Sequence, residues 1–551
     1  MRSSDQTTAL SMKTAWHQIN WAKAQKHVRH IQFKIMKAYE TGNRKRARAL
    51  QRLLARSFSA KVLAVRKVTS NDGKSTPGVD GQLWNMPEKK WQAVQQLNRG
   101  KYRAKPLRRV EIPKANGKTR PLGIPVMYDR AMQVLWGQAL EPIAERAADL
   151  RSYGFRRYRS AHDAIENLWN SHCKGTAYVL DADIKGCFDN ISHQWLIKHI
   201  PMDKQILRQW LNCGVIIAGK YYPTTKGTPQ GGPISPMLAN LTLDGLEQAT
   251  AKAAHLTCHG YTQQSHWGHY QRSGLHVIRY ADDFIVTAKR AEYLTEAIGG
   301  IKQFLAERGL ELNEQKTSLG HIDQGYQFLG FHLRRYADQK VIIKPTADAL
   351  KSVKTKVSQI VREMIARTQD DLILGLRPVT LGWCQYYQTV CSQRAFEKLD
   401  NHVFKRLWWW AQRRHKRKSA RWIKNRYWRV EGKRKWNFVT GQTRLPQCEH
   451  IPIIRVKNLR IKANIFIDET YFKQRSQDLA QLRMSRREAQ LLSKQNGYCP
   501  MCKGVLQVDD QTNLHHIQPK LTGGRNDIGN LMLVHANCHQ SYHATHYARR
   551  T

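Results

Sequence analysis

The sequence predicts an α+β fold shared among several domains, and three stretches carry that prediction. Between about 100 and 345, short strand-like runs alternate with helical segments. From 346 to 416 the pattern turns helical: Leu350, Val353, Val357, Ile360, Val361 and Met364 recur at spacings that place them on one apolar helix face. Residues 486–551 form a small module dense in Cys and His. A chain of 551 residues has room for roughly three to five such domains.

Taken in order, residues 1–70 read as basic helices, with Thr41-Gly42-Asn43 the main interruption. A loop rich in turn formers follows at 70–81. Within the next region, 71–345, Val179, Asp181 and Asp183 share one face of a strand, opposite Tyr178, Leu180 and Ala182. Two apolar, β-favouring runs flank Tyr280-Ala281-Asp282-Asp283, which reads as a hairpin carrying two aspartates at its tip. In the helical region 346–430, Trp383, Tyr386, Tyr387 and Val390 mark a second helix, and Phe396, Leu399, Val403 and Leu407 a third. Residues 417–485 read as basic and irregular, and no internal repeat or low-complexity tract is found.

The charge balance points to a polyanion. Lys and Arg total 91 against 42 Asp and Glu, a formal charge of +49, which disfavours a compact state unless it is compensated. With 16 Trp and 21 Tyr interleaved, nucleic acid is the leading partner. No run approaches the ~20 apolar residues that span a bilayer, so no membrane partner is expected. The N-terminus lacks an apolar secretory core, and a cytoplasmic protein is expected. Seven of the ten cysteines show no paired spacing and read as reduced thiols; Cys499, Cys502 and Cys538 lie near histidines and look metal-directed.

Adjacent carboxylates at a hairpin tip repel each other, and a divalent cation between them removes that cost. Asp183, at a strand end with Asp181 on its side, is a third such acid. Together with Asp282 and Asp283 it completes a site for two Mg²⁺ ions, one activating a primer 3′-hydroxyl and the other neutralising a triphosphate.

Eight blocks in one order give these acids a context. They are Thr76-Pro-Gly-Val-Asp80, Arg120-Pro-Leu-Gly-Ile-Pro125, Tyr153-Gly-Phe-Arg156, Asp183-Ile-Lys-Gly-Cys-Phe-Asp189, Gly227-Thr-Pro-Gln-Gly-Gly-Pro-Ile-Ser-Pro236, Arg279-Tyr-Ala-Asp-Asp283, Leu312-Asn-Glu-Gln-Lys-Thr317 and Phe328-Leu-Gly-Phe331. Over nearly its whole length the chain resembles the group II intron-encoded reverse transcriptase–maturases. That resemblance implies a right-handed polymerase with fingers and palm over 71–345. It assigns Asp183, Asp282 and Asp283 to the metals. Phe188 becomes the aromatic gate that leaves no room for a ribose 2′-hydroxyl, so dNTPs are selected. Gln230 and Gly231 lie in the turn against template and incoming nucleotide, and Arg120 lies over the triphosphate. Phe328-Leu-Gly-Phe331 would support the primer strand.

The helices of 346–430 resemble the family's thumb-like X domain, which grips structured intron RNA. Trp408, Arg413, Arg414, Lys416 and Arg417 are the implied RNA-binding residues, combining aromatic faces with cations. The three tryptophans at 408–410 point in different directions on a helix, so not all can be buried on one face. A basic DNA-binding region is implied over 431–485.

In the last module, Cys499-Pro-Met-Cys502 and His535-Ala-Asn-Cys538 form two knuckles that fit a structural, tetrahedral Zn²⁺ site. His535 stands where the family often has a fourth cysteine. Leu514-His-His-Ile-Gln-Pro519, Asn530 and Cys538-His-Gln-Ser-Tyr-His543 resemble an HNH endonuclease, built as a hairpin and helix around one divalent ion, Mg²⁺ or Mn²⁺. His516 would be the general base and Asn530 would fix its loop. His515, His539 and His543 would hold the ion. His539 and His543, four residues apart, share a helix face. A His-rich stretch at 255–269 departs from the compact family pattern and reads as a solvated or RNA-touching loop.

These readings imply a multifunctional protein. It binds its group II intron RNA, aids splicing, copies RNA into DNA, and cuts a double-stranded DNA target. In a bacterial cytoplasm it would join the nucleoid when bound to that target. The alternatives are a splicing-only maturase with silent enzymes, a host-adapted (CRISPR-type) reverse transcriptase, and an HNH nuclease with a long binding arm. Intact acids oppose the first, the maturase and HNH segments the second, and the ordered polymerase blocks the third.

Overall fold

The computed structural model describes residues 12–100, 102–113, 117, 119–256, 273–431, 434–441, 443–508 and 510–546. The His-rich stretch expected at 255–269 therefore lies, from residue 257 onward, outside the described residues.

Three helices open the fold, Trp21–Glu40, Arg44–Arg56 and Phe58–Val68. Each begins at a residue whose side chain accepts a backbone N–H three positions on: Asn20 from Lys23, Asn43 from Arg46 and Ser57 from Ala60. Their apolar sides, including Ile35, Leu54 and Val65, are buried in a core shared with the helix Met127–Ala147. Their Lys and Arg residues mostly face outward.

Strands β1 (Leu107–Pro113) and β2 (Thr119–Ile124) form an antiparallel pair. Strand β3 (Tyr178–Asp183) is central to a different sheet. Strands β4 (Val215–Ile217) and β5 (Lys220–Tyr222) extend the first sheet, in the order β2-β1-β4-β5, with β4 parallel to β1. The sheet around β3 is completed by β6 (His276–Tyr280), β7 (Asp283–Ala288) and β8 (Ser318–His321), in the order β6-β7-β3-β8. Alternation of side chains divides this sheet between two cores. Leu180, Ala182, Phe284 and Val286 join the core of the N-terminal helices. Val179, Ile278 and Ile285 join a second core, with the downstream helices.

That second core is built by β9 (Tyr326–Phe328), β10 (Phe331–Arg335) and β11 (Val341–Pro345) and by the helices Ala347–Glu363, Gln369–Tyr387 and Gln393–Arg414. Trp410 is fully buried in it, and its indole N–H donates to the Met364 carbonyl at 2.9 Å.

Residues 417–485 are more ordered than the sequence led us to expect. They hold a helix Ala420–Tyr427, a hairpin of β12 (Trp428–Glu431) and β13 (Arg434–Phe438), and a helix Glu469–Arg483. The last helix escapes an apolar-periodicity reading because Arg475 sits on its buried face beside Phe472 and Leu479. Arg475 makes an ion pair with Asp163, and both side chains are at most 2% exposed. Removing one partner would strand a buried charge at a cost of about 3–5 kcal/mol.

The last module begins with the helix Arg486–Lys494, opened by a reciprocal Ser485–Glu488 cap. Strands β14 (Thr512–His516) and β15 (Leu531–His535) pair antiparallel and lead into the helix Ala536–His546. No helix among the described residues is long and apolar enough to cross a membrane.

Candidate active sites

Strand β3 delivers Asp183 directly opposite Asp283, the first residue of β7. Opposed residues of an antiparallel pair have Cα atoms only ~4.5–5.5 Å apart, so the two carboxylates share one end of the sheet. Asp282 lies in the turn between β6 and β7, beside Ala281 with its φ of +60°. The turn is held from below by Arg279, which is buried. Its guanidinium reaches Asp244 at 2.6 Å, Asn240 at 3.0 Å and the Ala281 carbonyl at 3.3 Å. Backbone bonds Tyr153 N–H to Arg279 O and Arg279 N–H to Arg151 O clamp its outer edge. Gly154 is needed there, because a Cβ on it would lie 2.3 Å from the Ala281 nitrogen.

The electrostatics are those of an unneutralised acid cluster. Burial, with Asp282 and Asp183 adding to it, pushes Asp283 up to about 7. Burial and then Asp183 also raise Asp282, and the same two causes lift Asp181 to about 6. Three carboxylates gathered at one end of the sheet offer hard oxygen donors that fit divalent magnesium.

Two residues missing from the expected site touch it directly. Lys316 Nζ lies 2.8 Å from Asp183, and the Asn313 amide donates to the same carboxylate at 3.2 Å while its N–H donates to the Asp183 carbonyl. Both belong to the Leu312–Thr317 block, so the signal was present as a motif without an assigned role.

Around the acids, Arg120 Nε donates to Gln230 at 2.9 Å, and Gln230 in turn donates to Asp189 at 2.8 Å. Arg120 also lowers the pKa of Asp282 against the larger effect of burial. The Gly123 N–H donates to the Gln230 carbonyl, and Gly231, at φ +111°, would push a Cβ to 2.8 Å from the Gly123 oxygen. Phe188 is buried on the short helix Cys187–Asn190, its carbonyl accepting the Thr228 N–H and its ring edge-on to exposed Phe155. The Leu329 and Gly330 carbonyls of the Phe328–Phe331 turn accept the Tyr386 and Tyr387 hydroxyls.

In the helical region, Trp408 is half-buried in a cluster with Phe404, Trp428 and Trp436. Arg414 is tied to the Ile365 and Arg367 carbonyls at 2.7 and 2.6 Å, capping the preceding helix end. Arg413 lies over the Trp409 ring, and Lys416 and Arg417 are exposed.

The last module gathers two metal-competent sets beside the helix Ala536–His546, which supplies Cys538, His539 and His543. Cys499, Cys502, His535 and Cys538 converge within 4.8 Å. His535 Nδ1 faces Cys502 at 3.4 Å, while its Nε2 meets the Val505 carbonyl at 3.2 Å and Asp510 at 3.5 Å, an arrangement that suits a metal-bound imidazole. Three soft sulfurs and one nitrogen fit zinc. The other set is His515, His539 and His543, also within 4.8 Å. Burial and the neighbouring imidazoles hold His515 and His539 below the usual histidine range, which keeps them neutral and free to ligate. His516, at the end of β14, donates from Nε2 to Asn526 Oδ1, 2.7 Å away. Asn530 ties the intervening loop through the Gln518 N–H at 2.7 Å and the Gln518 and Arg525 carbonyls at 3.1 and 2.9 Å. Asn526 was not singled out from sequence, because an Asn in a Gly/Asn loop carries no distinguishing pattern.

Comparison with known proteins agrees with this geometry. Residues 16–97 match the N-terminal domain of reverse transcriptase, and 112–333 match reverse transcriptase (RNA-dependent DNA polymerase). Residues 350–428 match the group II intron maturase-specific domain, and 499–545 match HNH endonuclease. Protein YkfC of Escherichia coli (strain K12) is 33% identical over 314 residues, 51% of this chain and 82% of that protein. The group II intron-encoded protein LtrA of Lactococcus lactis subsp. cremoris is 31% identical over 326 residues, 49% of this chain and 54% of LtrA. A putative COX1/OXI3 intron 1 protein of Saccharomyces cerevisiae is 27% identical over 319 residues, 49% of this chain and 38% of that protein. The chain belongs to the group II intron-encoded reverse transcriptase–maturases that carry an HNH endonuclease domain.

Proposed function

We propose that this protein promotes splicing of its own intron RNA, stays on the excised RNA, and installs it in DNA by target-primed reverse transcription. The observation that carries the reading is the in-register pairing of Asp183 with Asp283, beside Asp282. Residues 71–345 form fingers and palm, 346–430 the thumb, 431–485 a basic DNA-contacting region, and 486–551 a zinc-stapled ββα nuclease, with 1–70 as a basic extension.

At the polymerase site Asp183, Asp282 and Asp283 hold two magnesium ions, which when bound activate the primer 3′-hydroxyl and neutralise the triphosphate. The protein contributes position and charge. Lys316 keeps Asp183 in place, and Gln230 aims Arg120 toward the phosphates. Phe188, fixed through the Thr228 N–H, closes the space that a ribose 2′-hydroxyl would need.

At the nuclease site His515, His539 and His543 hold one Mg²⁺ or Mn²⁺. With Nε2–H donated to Asn526, the basic lone pair of His516 is on Nδ1, where it takes the proton of the attacking water. Cys499, Cys502, His535 and Cys538 hold zinc and staple the hairpin to its helix.

Trp408, Arg413, Arg414, Lys416 and Arg417 contact intron RNA, Arg414 also bonding the Ile365 and Arg367 carbonyls. The test is a salt titration of intron-RNA binding. Affinity falls about 10³-fold or more between roughly 50 and 200 mM salt, as release of many counterions requires. A flat response would remove the polycation argument.

A further inference from the structure

The zinc knuckle of the last module does not stand free. It lies against the N-terminal helices, which bring the side chain of Arg66, on Phe58–Val68, up to its sulfurs. One guanidinium nitrogen, Nη2, lies 4.0 Å from Cys502 Sγ and 3.9 Å from Cys538 Sγ. The group is stacked over the Trp21 ring at 4.6 Å, and the residue is only 7% exposed. Its other terminal nitrogen, Nη1, is buried with no hydrogen-bond partner, and no carboxylate lies within 4.0 Å of it among the described residues.

A buried cation without a counter-charge is expensive, by several kcal/mol in real proteins. Charge bookkeeping supplies the missing anion. A divalent zinc with three thiolates and one neutral imidazole carries a net charge of −1. We propose that Arg66 is the counter-ion of the zinc–thiolate centre, so that zinc loading holds the nuclease module onto the polymerase's N-terminal helices. The proposal rests on reading the four ligands as a zinc site.

Three flanking contacts define the same interface. Val505 N–H donates to Gln25 Oε1 at 2.9 Å, Gln511 bonds Asp72, and Lys67 faces Asp510 at 3.8 Å. Asp510 also orients His535, so the interface touches the metal ligands on two sides. By linkage, whatever zinc adds to docking, docking adds to zinc retention.

The experiment uses the full-length protein. Its zinc content is measured first, and then the rate of zinc release to a chromophoric chelator for wild type, Arg66→Met and Arg66→Lys. Arg66→Met releases zinc about 10-fold faster or more, the effect typical of lost outer-sphere partners of a metal site. Arg66→Lys stays nearer wild type, and primer extension on an annealed template is unchanged in both. If Arg66→Met yields no soluble protein, hydrogen exchange is compared in wild type with and without zinc. Stripping the metal then deprotects both the knuckle and the helix Phe58–Val68. A protein that binds no zinc overturns the four-ligand reading and the proposal with it. Zinc that binds but leaves at an unchanged rate in Arg66→Met, or a helix indifferent to its removal, overturns the docking alone.

Discussion

Replacing Asp282 and Asp283 together by alanine lowers primer extension on an RNA template by roughly 10³-fold or more, while intron splicing continues. The size of the loss follows from what the two carboxylates do. They share the sheet end with Asp183, and burial together with mutual repulsion raises the pKa of both. Such a cluster costs folding energy in exchange for its capacity to gather cations. Removing two of its members therefore relieves the fold while disabling the chemistry, and the variant is expected to be no less stable than wild type. Splicing survives because the RNA performs that reaction and the protein's part is to hold it. Extension at a wild-type rate would remove these residues from the catalytic site.

Replacing His516 by alanine lowers DNA cleavage by about 10²- to 10⁴-fold, the range of a lost general base, and spares polymerisation. The imidazole sits at the end of β14, with its Nε2 engaged by Asn526 at 2.7 Å. Asn526→Ala frees the ring to adopt either tautomer and gives a smaller loss of cleavage. Divalent-ion affinity at the nuclease site is unchanged in both variants, since His515, His539 and His543 remain. Measuring cut DNA and ion binding in parallel separates a lost base from a lost metal. Cleavage unaffected by His516→Ala would assign the base elsewhere.

Much of this arrangement was legible in the sequence because the relevant signals are local. The alternation of Val179, Asp181 and Asp183 places the acids on one face of β3, and the Cys and His spacings place two ligand sets on one small module. Partners distant in sequence were legible for the three metal-directed aspartates, which the resemblance joins, and not beyond them. Asn313 and Lys316 reach Asp183 across more than 100 positions, Arg475 meets Asp163 across 312, and Arg66 reaches Cys538 across 472. Each is a polar residue that looks like a solvated surface group until the fold supplies its neighbour. The two carbonyls that Arg414 holds, Ile365 and Arg367, were equally out of reach of a sequence reading, which sees only a basic run near a helix end. The helix Glu469–Arg483 was hidden because its buried face includes a charge.

Iron-mediated cleavage of the polypeptide gives the most direct reading of the polymerase centre. Fe²⁺ substituted for Mg²⁺, with peroxide and ascorbate, cuts backbone close to where the ion is held. Two clusters of cuts are predicted, one around residues 181–184 and one around 280–284, both suppressed by excess Mg²⁺ and both lost in the Asp183→Asn, Asp283→Asn double variant. Cuts that fall elsewhere, or that persist unchanged in that variant, would contradict a metal site formed by β3 and the β6–β7 turn.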